Sequence, residues 1–85
     1  MRYFSFYAED GEGTDGTDFH IEISELEDGV ILVEESHCGR TRGSIWSHRQ
    51  NYYTDHFWLT VQEMINYFGG MKNISNRRIG YLEQW

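Results

Sequence analysis

The chain has 85 residues, three tryptophans, six tyrosines, five phenylalanines, one cysteine, no proline and a net charge of −7. That is the size of one domain over 1–85. A single thiol excludes a secreted disulfide scaffold, and no run approaches the roughly 20 apolar residues of a membrane-spanning helix, so a soluble, cytoplasmic protein is expected.

Tyr3–Ala8 reads as a strand with Phe4, Phe6 and Ala8 on one face and Tyr3, Ser5 and Tyr7 on the other. No signal-peptide apolar region fits before Glu9. The stretch Glu9–Asp18, EDGEGTDGTD, holds five carboxylates and three glycines. It fails as an EF-hand loop, because Asp15 stands where glycine is needed and Ile21 where the last glutamate is needed. Charge repulsion and glycine entropy predict an exposed, mobile hairpin loop instead.

Asp18–Leu26 is a second strand, with Phe19, Ile21 and Ile23 alternating with His20, Glu22 and Ser24. Glu27-Asp28-Gly29 signals a tight turn, with Gly29 free to take a positive φ. The β-branched run from Val30 to Val33 then suits a strand covered on both faces. Cys38–Asp55 gives a weaker pattern, in which Ile45–Tyr53 is the candidate for a short fourth strand.

Thr60 and Glu63 form a capping box, flanked by a Leu59–Met64 staple. Val61, Met64, Ile65 and Phe68 follow helical spacing and Gly69-Gly70 supplies a stop, so a helix of about 9–10 residues is predicted. Ile79–Trp85 alternates as a last strand. The expected fold is α+β: a small antiparallel sheet of three to five strands, β-β-β-(β)-α-(β), with one short helix packed on one face.

No catalytic constellation emerges. His37-Cys38-Gly39-Arg40 resembles the start of a cysteine-phosphatase loop, but the required glycine and arginine fall on Thr41 and Ser44. Cys38 is expected to be a small buried or half-buried residue. His37, Cys38, His48 and His56 lack metal-site spacing. The expectation is a non-enzymatic protein without metal or cofactor.

Charge is unevenly distributed. Residues 1–35 carry eleven acids and only Arg2; residues 36–85 carry Asp55, Glu63 and Glu83 against six bases. Glu9, Asp10, Glu12, Asp15, Asp18, Glu22, Glu25, Glu27 and Asp28, continued by Glu34 and Glu35, are candidates for an acidic face that occupies the basic, nucleic-acid-binding surface of a larger protein. The alternative is direct nucleic-acid binding by Arg40, Arg42 and Arg49 interleaved with Trp46, Tyr52 and Tyr53, opposed at long range by the net negative charge. Unpaired sheet edges also make a homodimer an expectation. Small, acidic, aromatic-rich and compact, the chain is similar in general type to phage-encoded inhibitors of host defence, including anti-CRISPR proteins and nucleic-acid mimics; the likeness covers no motif.

Overall fold

A computed structural model describes residues 1–9, 18–27, 29–47 and 54–81. They form β1 (Arg2–Ala8), β2 (Phe19–Glu27), β3 (Val30–His37), β4 (Arg40–Ser47), α1 (His56–Tyr67), a 3-10 turn (Met71–Asn73) and β5 (Ile74–Tyr81). The strands make one antiparallel sheet in the order β4-β3-β2-β1-β5. The first four strands are successive neighbours, and α1 carries the chain back across one face to place β5 beside β1. The architecture is thus α+β with one helix on a small antiparallel sheet.

Alternation divides the sheet into two faces. Phe4, Phe6 and Ala8 of β1 lie opposite Ile23, Ile21 and Phe19 of β2, and Ile23 lies opposite Val33 of β3. With Ile31 these residues form the layer under the helix, which contributes Phe57, Val61, Met64 and Ile65. Phe6, Ala8, Ile21 and Ile23 are fully buried. Edge-to-face aromatic contacts tie both ends of the helix to the sheet, Trp58 to Phe4 at 6.0 Å and Phe68 to Phe6 at 6.1 Å.

Among the described residues no helix lies over the second face. Val30 and Leu32 are half-exposed there, so among the described residues β3 is packed against a helix on one side only, not covered on both as its composition suggests. The described residues hold one helix for a five-stranded sheet, so they supply one layer to bury against.

Three elements depart from the sequence expectation by more than one residue: the fourth strand, the last strand and the helix. The fourth strand is Arg40–Ser47, not Ile45–Tyr53; residues 48–53 lie outside the described residues. It starts early because Cys38 and Gly39 take φ of 52° and 76°, the paired left-handed conformations of a two-residue hairpin turn. Cys38 is accordingly exposed, not buried. The last strand runs Ile74–Tyr81, five residues ahead of the expected Ile79; residues 82–85, with Trp85, lie outside the described residues.

The helix begins at His56, with Asp55 as N-cap accepting from the Trp58 N–H. Thr60 is buried inside it, and its hydroxyl donates to the His56 carbonyl at 2.8 Å. The Leu59 staple position is half-exposed at 52%. The Gly69-Gly70 stop is present, with φ of 101° and 90°, and the Gly70 N–H donates to the Ile65 carbonyl at 2.9 Å.

Candidate functional site

Register fixes what the open face presents. One row across the sheet reads Arg78, Ser5, Glu22, Glu34, Gly43. The rows to either side read Ser75, Tyr7, His20, Ser36, Thr41 and Gly80, Tyr3, Ser24, Leu32, Ile45. Ser5, only 3% exposed, forms the floor of an open depression of about 380 Å³, walled by Tyr3 and Tyr7 along the strand and by Glu22 and Arg78 across it. Tyr7 stacks on His20 with centroids 4.5 Å apart, and His20 Nδ1 lies 3.7 Å from Glu22 Oε1.

Glu22 and Glu34 stand directly opposite each other on adjacent strands. Their Cβ atoms are therefore about 5 Å apart, and like charges so placed destabilise a sheet. The small Ser5 and Gly43 flank them, so the carboxylates are not crowded by neighbours. Neither forms a salt bridge with an arginine or lysine among the described residues.

The other acidic candidates are dispersed. Glu9 and Asp18 are exposed at the end of the sheet from which Tyr7 and His20 project. Asp10, Glu12 and Asp15 between them lie outside the described residues, as does Asp28. Glu27 is exposed at the opposite end of β2. Glu35 is on the helix side, opposite Arg42.

Glu25 serves a different purpose. On the helix side, Arg2 Nε and Nη2 donate to its two carboxylate oxygens at 3.2 and 2.8 Å, and the Arg2 backbone N–H donates to Oε1 at 3.2 Å. The same guanidinium donates to both oxygens of Asp55, at 2.6 and 3.0 Å, and lies 4.9 Å from the Phe57 ring centre. The Glu25 side chain is only 12% exposed. Arg2 thus joins β1, β2 and the helix cap. Hydrogen bonds from Arg2 hold both carboxyls below their ordinary range, against the opposing effect of burial. This cluster leaves only a faint mark in the sequence. Its signal is that Arg2 is the only arginine or lysine among the first 35 residues and shares strand parity with Phe4 and Phe6.

The basic alternative is brought together in part. Arg40, Arg42 and Trp46 project from the same side of β4. Both arginines are exposed, whereas Trp46 packs partly against the core. Phe19, stacked on His37 at 4.0 Å, adjoins the arginines around an open depression of about 250 Å³. Arg49, Tyr52 and Tyr53 lie outside the described residues. The Cys38 thiol is 3.6 Å from His37 Nε2. Among the described residues no three His, Cys, Asp or Glu side chains are placed to hold a metal ion, and no helix is long and apolar enough to cross a membrane. Comparison with protein-family models, curated proteins and solved structures finds no match.

Proposed function

We propose that this chain is a non-enzymatic, cytoplasmic interaction protein. It sets the acidic part of its open sheet face on the basic surface of a larger, nucleic-acid-handling protein and blocks that surface, in the general manner of phage-encoded anti-defence proteins. The observation that carries the reading is the pair Glu22 and Glu34, adjacent across β2 and β3 on the face opposite the helix. Their mutual repulsion is a standing cost that a partner's arginine or lysine removes on docking. Exposed Glu9 and Asp18 extend the negative surface toward one end, and Tyr3 and Tyr7 beside it supply contact area of the kind that anchors interfaces. Glu25 does not belong to this surface, because it is bonded to Arg2 on the other side.

The test is affinity capture from a nuclease-treated lysate with the wild type and a Glu22→Lys/Glu34→Lys variant. The variant is expected to keep its fold and melting temperature within a few degrees, since both positions face solvent, and to lose binding by about a hundredfold, near 3 kcal/mol. Equal capture by a folded variant overturns the reading. The exposed Arg40 and Arg42 beside Phe19 and His37 favour a second reading, direct nucleic-acid binding. It takes over if capture vanishes with nuclease and with Arg40→Ala/Arg42→Ala.

A further inference from the structure

We propose that two copies of this chain join edge to edge through β4, which pairs antiparallel with its own counterpart to give a continuous ten-stranded sheet. The inference does not depend on what the acidic face binds.

The two edges of the sheet differ. On β5 the register with β1 shifts between Ser5 and Tyr7, Asn76 takes a φ of 50°, and Arg77 and Arg78 follow in succession. A bulge and charges are the usual means of blunting an edge. By contrast, β4 pairs with β3 in unbroken register over all eight residues, from His37↔Arg40 to Val30↔Ser47. The chain has no proline to interrupt it. Among the described residues no strand lies on its outer side.

The hairpin geometry states which groups that outer side offers. In a two-residue hairpin the flanking pair, here His37 and Arg40, exchanges both backbone hydrogen bonds, and bonded pairs then alternate. Arg40, Arg42, Ser44 and Trp46 therefore turn their N–H and C=O groups toward β3. Thr41, Gly43, Ile45 and Ser47 turn theirs outward.

A two-fold axis at Ser44 pairs Gly43 with Ile45 of the second copy and Thr41 with its Ser47, all outward-bonding positions. This register is also complementary in side chains. On the helix side it sets Arg42 opposite Trp46 of the second copy, a cation beside an aromatic ring. On the open side it brings the two Ile45 residues, each 57% exposed, diagonally together and joins the two patches of Leu32 and Ile45. Moving the axis to Arg42 would set arginine against arginine, which disfavours that alternative. No acid lies on β4, so a strand whose chain carries −7 meets its copy without local carboxylate repulsion.

The test combines light scattering across concentration with amide hydrogen exchange. The wild type is expected to be dimeric at millimolar concentration, with the amides of Thr41, Gly43, Ile45 and Ser47 becoming protected as dimer forms. In Gly43→Pro the lost N–H points outward, so no bond to β3 is sacrificed, and an added Cβ meets only Leu32 Cδ1 at 3.7 Å and Glu34 Cγ at 3.9 Å. This variant, and independently Ile45→Lys, should remain folded and weaken association about a hundredfold. A monomeric wild type at millimolar concentration overturns the proposal. So does a dimer in which those four amides stay exposed, or protection that appears only when a different protein is added.

Discussion

Phe6→Ala is expected to destabilise the protein by about 3–5 kcal/mol, enough to leave much of it unfolded at 37 °C. Phe6 is 0% exposed at the centre of the sheet, opposite Ile21. It lies between Phe4 at 6.2 Å and Phe68 at 6.1 Å, so it joins the strand layer to the end of the helix. Removing it opens a cavity that the paired strands cannot close, because their spacing is fixed by backbone hydrogen bonds. A domain of this length has little stability to spare. Urea unfolding followed by tryptophan fluorescence measures the loss. Tyr7→Ala, on the open side of the same strand, serves as the contrast: Tyr7 is 38% exposed and is expected to cost less than half as much. Equal losses for the two would contradict a core confined to the helix side.

Arg2→Ala is expected to cost about 2–3 kcal/mol. The substitution leaves Glu25, largely enclosed, without its cation, frees the N-cap Asp55 from its only described side-chain partner, and removes the contact with Phe57. The discount from a fully buried pair reflects Asp55, whose side chain is 44% exposed. Asp55→Ala alone should cost about 1 kcal/mol, the ordinary loss of a helix cap. In a double-mutant cycle Arg2→Ala and Glu25→Ala are expected to be strongly non-additive, since either one removes the same bonds.

The cluster also makes stability depend on pH on the acid side. Glu25 and Asp55 have lower pKa values folded than unfolded, so unfolding takes up protons as the pH falls. Their contribution is complete above the ordinary values of 4.5 and 3.8 and is lost as pH drops below these toward the lowered folded values. Arg2 keeps its proton throughout this window. Wild-type stability should therefore decline more steeply below about pH 4.5 than that of Arg2→Ala, and unfolding curves at several pH values compare the two directly.

The parts of the fold that could be read locally are those in which one residue's neighbours decide its state. Phe4, Phe6 and Ala8 against Phe19, Ile21 and Ile23 announce two strands with one buried side, and Gly29, at φ 79°, marks the turn that follows. The strand β4 escaped because, as an edge with only Trp46 packed on the core, it buries no alternating set. Its Cys38-Gly39 turn also lacks the usual asparagine or aspartate. The helix start differs from the local pattern for another reason. Thr60 and Glu63 fit a cap locally, but Asp55 is fixed by Arg2, 53 positions away in the chain. The adjacency of Glu22 and Glu34 follows from the β2–β3 register, and therefore from the Gly29 turn. Read along the chain they were two acids among many, and the sheet makes them a pair.

The place of β1 in the sheet has a kinetic consequence. It pairs on one side with β2, its sequence neighbour, and on the other with β5, where Phe4 meets Ile79 across almost the whole described chain. The β2–β3 and β3–β4 hairpins close through two residues each and β1–β2 through ten, whereas the β1–β5 seam must await the largest closure among the described pairings. That seam should therefore be formed least in the folding transition state. Ile74→Ala, which thins it beside Ala8, is expected to speed unfolding while leaving the folding rate nearly unchanged; Val33→Ala in the meander should slow folding. Stopped-flow measurements in urea separate the two limbs. The slow opening of this one seam would then set how long a folded molecule lasts.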